Sequence, residues 1–133
     1  MKRSPLLLAE LSHVIASMGH GDMLVIGDAG LPIPDGPRRI DLAVARGVPG
    51  ISDVLKAVLS EMQVESALIA REALEPLPAG TLPTWCEGQL GVVPQVVSHE
   101  ELKRVSARAK AVVRTGECTP YANIILVAGV AFG

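Results

Sequence analysis

Three polar residues lie at the predicted ends of structural elements, and their side chains are suited to proton transfer or to hydrogen bonding with hydroxyl groups. His20 precedes the first predicted strand, Asp28 follows that strand, and His99 begins a late helix. An imidazole gives and takes protons near neutral pH, because its ordinary pKa is about 6.5. A carboxylate accepts charge-assisted hydrogen bonds from hydroxyl groups, and these are roughly twice as strong as neutral ones.

Each candidate also has a purely structural explanation. His20 can help to end the first helix, because an imidazolium is favoured at the negative end of the helix dipole. Asp28 can be only a turn residue before Ala29-Gly30. His99 can simply be the first residue after a helix cap. The residues alone leave these alternatives open.

The predicted elements separate His20 from Asp28. The two residues flank one strand and are about eight residues apart, which corresponds to about 25 Å in a fully extended chain. Open α/β sheets bind ligands beyond the carboxyl ends of their strands, where Asp28 lies. One site that holds both residues therefore requires a bend, a shorter strand or a contribution from another subunit.

Apolar strands alternate with amphipathic helices along the chain. Strands are predicted near residues 23–26, 40–44, 64–70, 92–97 and 123–128. Helices are predicted from Ser4-Pro5 to Met18, from Ser52 to Met62, and from a capping box at Ser98 to near Thr115. Residues 72–91 are predicted to form a loop. The sequence therefore predicts an α/β fold, namely one three-layer domain over residues 1–133 whose largely parallel β-sheet has helices on both faces.

Composition argues against several classes of protein. The chain has 12 basic and 14 acidic residues and only three aromatic ones, which does not favour a nucleic-acid-binding surface. No apolar stretch approaches the roughly 18 residues of a membrane helix, and no signal peptide is recognisable, so we expect a cytoplasmic protein. The hydrophobic fraction of 49% is high for a small domain. This fraction predicts burial of apolar surface between the subunits of a homo-oligomer.

We expect neither a metal nor a cofactor. The residues with suitable N or O atoms show no metal-binding spacing; they are His13, His20, Asp22, Asp28 and His99. The chain also contains no P-loop, no dinucleotide-binding glycine motif and no nucleophile elbow.

Several blocks of the sequence resemble the D-ribose pyranase family. The N-terminal blocks are Gly19-His20-Gly21-Asp22, residues 28–34 and Arg39-Ile40-Asp41. Residues 61–65 resemble the middle block of the family, and residues 116–126 resemble its C-terminal signature. The blocks occur in the family's order and cover most of the chain, although residues 72–91 match poorly. L-fucose mutarotases share this layout, but His99 and the block around Tyr121 are closer to the ribose branch.

The resemblance implies an intramolecular isomerase that interconverts β-D-ribopyranose and β-D-ribofuranose, with His20 as the proton donor. It implies substrate contacts from Asp28, from His99 and from the segment Tyr121-Ala122-Asn123. It also implies a ring-shaped homo-oligomer, such as a pentamer or decamer, with sites near subunit boundaries. The alternatives are a mutarotase of L-fucose or another sugar, and a non-catalytic monosaccharide-binding module.

Overall fold

Six strands form one mixed sheet in a computed structural model that describes residues 1–133. The strands are β1 (Met23–Gly27), β2 (Arg38–Asp41), β3 (Val64–Ala70), β4 (Gln95–Val97), β5 (Ala111–Arg114) and β6 (Ile124–Ala128). Their order across the sheet is β2-β5-β1-β6-β3-β4. β6 pairs antiparallel with β1 and with β3, and the other three pairings are parallel. The predicted α/β fold with a largely parallel sheet is therefore confirmed.

Three α-helices cover the two faces of the sheet. They are α1 (Ala9–Ser17), α2 (Ile51–Leu59) and α3 (His99–Ser106). Successive side chains of a strand point to opposite faces. In β1, Leu24 and Ile26 belong to the apolar cluster that includes residues of α1 and α2, whereas Val25 belongs to the cluster that includes residues of α3. This double burial explains why β1 is an uninterrupted apolar run rather than an alternating one.

The late helix is shorter than predicted, which is the main correction to the sequence-based fold. Its start is correct, since the Ser98 hydroxyl accepts a hydrogen bond from the Glu101 backbone N–H at 3.1 Å. The helix ends at Ser106, however, and Val112 and Val113 lie in β5, between β1 and β2. Both valines are buried. β-branched side chains suit a strand that is covered on both faces. The sequence pattern did not separate the two structures, because an apolar run of only four residues fits the period of a helix as well as that of a strand.

The first helix also differs from its prediction. α1 begins at Ala9 rather than at Ser4, and the Ser4 hydroxyl donates a hydrogen bond to the Glu61 carboxylate instead of capping a helix. Two strands are also shorter than predicted. β2 ends at Asp41, before the predicted end near residue 44. β4 is shorter than the strand predicted near residues 92–97, because it begins only after Pro94. It lies at the edge of the sheet, as predicted, and residues 74–91 contain neither strand nor α-helix. No helix is long and apolar enough to cross a membrane.

Candidate functional site

Asp28 and Asn123 meet at the edge of the sheet that is formed by the strand ends, where β1 ends and β6 begins. Asp28 follows β1, and Asn123 precedes the antiparallel neighbour β6, so the end of one strand lies beside the start of the other. The Asn123 side chain is fully buried, and its Oδ1 accepts a hydrogen bond from the Asp28 backbone N–H at 2.9 Å. A Cβ at Gly27 would lie only 3.0 Å from that oxygen and 2.4 Å from Leu31. Glycine at position 27 therefore allows this close approach.

The Asp28 carboxylate is held in a fixed turn. Its Oδ1 accepts a hydrogen bond from the Gly30 backbone N–H at 2.9 Å, which is an Asx-turn geometry. Ala29 donates its backbone N–H to the Glu117 carbonyl at 2.8 Å, and its own carbonyl accepts Nε–H of Arg114 at 2.9 Å. The turn therefore presents a half-buried carboxylate from a backbone fixed on both sides.

His99 and Tyr121 lie side by side in the same region. Their ring centroids are 5.0 Å apart and their planes are inclined at 78°, an edge-to-face arrangement. The Glu72 carboxylate accepts the His99 backbone N–H with both oxygens, at 3.0 and 3.1 Å. Tyr121 is the one non-glycine residue with a positive φ, at 63°. Such backbone strain clusters at functional sites.

Two buried polar atoms in this region have no hydrogen-bond partner. They are Nδ1 of His99 and Nδ2 of Asn123, and the rest of the chain has only one other such side-chain atom, on Gln89. An unsatisfied buried polar group costs about 1–3 kcal/mol, so native structures contain few of them. A ligand that carries hydroxyl groups, each a donor and an acceptor, fits these atoms and the adjacent Asp28 carboxylate.

His20 lies at the opposite edge of the sheet, in the turn between α1 and β1. The Asp22 carboxylate closes this turn by accepting the Gly19 backbone N–H at 2.8 Å. The carbonyl of Ala128, the last residue of β6, accepts the Gly21 N–H, and Ala128 donates its own N–H to the Asp22 carbonyl, both at 2.8 Å. The turn is thus attached to the carboxyl end of β6.

The His20 imidazole is exposed but not free. Its Nε2 lies 2.7 Å from Oε2 of Glu65 in β3, and 62% of the side chain is accessible to solvent. The ring borders a cavity of about 480 Å³, and part of the wall of this cavity is the C-terminal segment 128–132. His20 therefore faces a space large enough for a small ligand.

One chain brings together five of the six predicted site residues, but it leaves out His20. Asp28, His99, Tyr121, Ala122 and Asn123 lie at one edge of the sheet, and His20 lies at the other. β1, which separates the two groups, spans about 13 Å by itself at the usual strand rise. The separation expected from the sequence is therefore present in the fold.

Sequence reasoning missed the acidic residues that support the site. Glu65 contacts His20, Glu72 binds the first backbone N–H of α3, and Glu117 holds the loop before β6. Glu65 lies in a strand and Glu72 near a predicted loop, so both resemble ordinary solvent-facing residues. The only indication in the sequence was that residues 61–65 and 116–126 resemble blocks of the family. This resemblance implied no role for Glu65 or Glu117.

Glu117 fixes the loop that carries Tyr121 to the start of α2. Its Oε1 accepts the Ile51 backbone N–H at 3.1 Å, and its Oε2 accepts the Thr119 hydroxyl at 2.8 Å. Burial acts to raise the pKa of the Glu117 carboxyl, but the hydrogen bonds from Thr119, Ile51 and Cys118 outweigh it, and the pKa lies below its ordinary value of 4.5. The fold thus favours the ionised carboxylate at this position.

The structure contains no group of three or more His, Cys, Asp or Glu side chains placed to hold a metal ion. The groups available at the two edges are an imidazole–carboxylate pair on one side, and a carboxylate, an amide and an imidazole beside a tyrosine on the other. Such groups can move protons and bind hydroxyl groups.

A model of the RbsD / FucU transport protein family matches residues 1–131. The chain belongs to this family. The resemblance seen in the sequence blocks is thereby confirmed, and the family match includes both edges of the sheet.

Several members of the family are similar to this chain over its full length. A D-ribose pyranase of Variovorax paradoxus is 76% identical over 132 residues, which cover 99% of this chain and 100% of that protein. A D-ribose pyranase of Symbiobacterium thermophilum is 59% identical over 133 residues, with the same coverage.

Solved structures of family members share the fold. The structure of Bacillus subtilis RbsD complexed with D-ribose matches with a TM-score of 0.81 and 40% identity, and the match covers 99% of this chain and 100% of that one. The fucose mutarotase from Streptococcus pneumoniae in complex with L-fucose matches with a TM-score of 0.75 and 26% identity over the same shares. Of these two structures, the ribose complex is thus the nearer in sequence and in fold.

Replacing Glu117 with glutamine is expected to lower the free energy of unfolding at neutral pH. Because the folded pKa is lower than the unfolded value, the ionised carboxylate stabilises the fold above about pH 4.5, and this contribution is lost as the pH falls through the folded pKa. Urea unfolding of wild type and Glu117→Gln, from neutral pH down to about pH 3, measures the effect. The variant should show a flatter decline in acid than wild type.

The exposed Glu87→Gln variant is the matched control, since it removes one carboxylate without these contacts. An acid decline in Glu117→Gln as steep as in wild type would show that Glu117 does not stabilise the loop through its charge.

Proposed function

We propose that this chain is a D-ribose pyranase that interconverts β-D-ribopyranose and β-D-ribofuranose by acid–base ring opening and closure. The observation that carries the proposal is the pair of unpartnered buried atoms, His99 Nδ1 and Asn123 Nδ2, beside the Asp28 carboxylate. The relatives at 76% and 59% identity carry the name D-ribose pyranase, in agreement with the expectation from the sequence. D-ribose is favoured over L-fucose because the ribose-bound relative is 40% identical and the fucose-bound one only 26%.

The reaction requires proton transfers and no other chemistry. When the pyranose opens, the anomeric hydroxyl loses its proton and forms the aldehyde C=O. The bond between C1 and the ring oxygen breaks, and that oxygen takes its electron pair and a proton. The O4 hydroxyl then attacks C1 and gives up its proton, while the aldehyde oxygen gains one. A side chain that can both accept and donate a proton serves both halves, and this help is worth about 10²–10⁴-fold in rate.

His20 is the proton-transfer group in this proposal. The other residues hold the sugar: Asp28 accepts hydroxyl hydrogen bonds, Asn123 Nδ2 donates one, and His99 Nδ1 forms another. Tyr121 places its ring against the sugar, and Ala122, which is fully buried in the apolar core, anchors the segment between Tyr121 and Asn123. The rigid turn at Asp28 and the strained backbone at Tyr121 support a site that is formed before the sugar binds.

The active site requires two copies of the chain. Since His20 and the sugar-binding residues lie at opposite edges of one sheet, a neighbouring protomer supplies His20 to a sugar held by the first. A closed ring of identical protomers, such as a pentamer or a stacked decamer, repeats this contact at every boundary. The apolar composition of the chain is in keeping with such burial.

The cytoplasmic location is part of the proposal. Cys86 and Cys118 are both free thiols, which suits a reducing compartment.

The exchange of ribose ring forms tests the function directly. NMR saturation transfer between the anomeric signals of ribopyranose and ribofuranose should be much faster with the protein than without it. His20→Ala should abolish the enhancement and still bind ribose, because His20 does not hold the sugar. Binding without faster exchange in wild type would identify a sugar-binding module instead, and a larger effect on L-fucose would identify a mutarotase of that sugar.

Mixed assemblies test the shared site. Two variants, His20→Ala and Asp28→Asn, should each be inactive as pure proteins; the amide oxygen of the Asp28→Asn side chain can still accept the Gly30 N–H, which preserves the turn. When the two are co-refolded in equal amounts, random pairing places an intact His20 beside an intact Asp28 in about a quarter of the boundaries of a cyclic oligomer. Activity should therefore return to about a quarter of the wild-type value.

Native mass spectrometry verifies that the two variants share assemblies. Mixed assemblies that remain inactive would show that both groups act within one chain, and would contradict the shared site.

A further inference from the structure

We propose that Glu65 is a positioning residue that fixes the tautomer of His20, so that Nδ1 is the nitrogen that exchanges protons with the sugar. This inference rests on the proposed function for its catalytic consequence. Its structural part, the orientation and tautomer of one imidazole, stands on geometry alone.

Glu65 occupies an irregular position in its strand. In the pairing of β3 with β6, Val64 faces Ala128, whereas Ser66 faces Val127. Two steps along β3 thus correspond to one step along β6, and Glu65 is the additional residue of a β-bulge. Bulges occur next to active sites, where they redirect a side chain. In a regular register Glu65 would face β6 as part of the ladder; here its carboxylate reaches the His20 ring.

The backbone around the bulge is adapted to this contact. Gly129 follows β6 and donates its N–H to the Gln63 carbonyl at 2.9 Å. A Cβ at position 129 would lie 3.1 Å from Cβ of Glu65, so a glycine lets the chain pass close beside the bulge. The same end of β6 holds the turn that carries His20, through Ala128. Both partners of the pair are therefore fixed to one strand end.

Two other carboxylates in this part of the chain already have partners of their own. Glu61 borders the same cavity, but its carboxylate is bonded to Lys2 and to the Ser4 hydroxyl. Asp22, in the turn itself, accepts the Gly19 backbone N–H. Glu65 is the acidic side chain left to contact His20.

The contact determines which nitrogen reacts. An ionised carboxylate is only an acceptor, so the bond of 2.7 Å requires the hydrogen to be on Nε2 of His20. The neutral ring then has its lone pair on Nδ1, because the tautomer is set by the hydrogen bond that the other nitrogen makes. Nδ1 accepts the proton of the anomeric hydroxyl as the C1–ring oxygen bond breaks. The resulting imidazolium, which Glu65 stabilises, returns that proton to the ring oxygen.

Histidine-labelled protein tests the tautomer without any activity measurement. Solid-state ¹⁵N NMR at a pH where the ring is neutral, with the His20 signals assigned from their loss in His20→Gln, distinguishes a protonated Nε2 from a protonated Nδ1. We expect a hydrogen on Nε2 in wild type. A hydrogen on Nδ1 would overturn the inference, whatever the activity of the enzyme.

The Glu65→Gln variant tests the catalytic consequence. Glutamine offers a donor as well as an acceptor and carries no charge, so it neither fixes the tautomer nor stabilises the imidazolium. We expect kcat for ring exchange to fall about ten- to a hundredfold, part of the usual acid–base contribution, with KM for ribose changed less than about twofold. The exposed Glu87→Gln variant, expected to match wild type, controls for the loss of one charge.

The possible results separate the two proposals. Wild-type kcat in Glu65→Gln, together with loss of exchange in His20→Ala, would refute the role of Glu65 and leave the proposed function intact. Unchanged exchange in His20→Ala would refute the proposed role of His20 itself, and the NMR result would still decide the tautomer. A rise in KM with unchanged kcat would assign Glu65 to sugar binding and contradict the positioning role.

Discussion

The site depends on one antiparallel strand at the centre of a sheet that is otherwise parallel. β6 pairs with β1 on one side and β3 on the other, and both β1 and β6 are largely buried. Its first end continues from Asn123, which binds the backbone of Asp28, and its last end holds the turn of His20. Each end therefore positions one part of the proposed site, and the length of β6 keeps the two parts separate within one chain. This separation is why the proposed site includes a second copy of the chain.

The same constraint explains the division of chemical roles in the proposed site. One edge presents donors and acceptors from a rigid, partly buried setting, including two unpartnered atoms that hydroxyl groups can satisfy. The other edge presents an exposed imidazole paired with a carboxylate, on the border of a cavity. Binding and proton transfer need different surroundings, because sugar binding gains from preorganised polar groups, whereas proton exchange needs a ring that the sugar can reach. Separate edges provide both conditions, and the proposed assembly would combine them.

Local patterns in the sequence were sufficient to predict most of the fold and to select the residues of the proposed site. The apolar runs predicted β1, β3 and β6, and the serine cap predicted the start of α3. The valines of β5 were assigned to a helix, because a short run fits either period and only pairing with β1 and β2 decides between them. Glu65 was missed for a related reason, since a bulge is a property of two paired strands and leaves no pattern in one. The sequence also predicted that His20 and Asp28 lie far apart, but one sequence contains no signal for the contact between subunits that the proposed site requires.

The most direct test of the shared site is a structure of the assembled protein with D-ribose bound. The proposed site predicts a sugar bonded to Asp28 and Asn123 of one protomer, with Nδ1 of His20 from a neighbouring protomer within about 3 Å of the anomeric or ring oxygen. A bound ribose that no His20 of any copy approaches would contradict it.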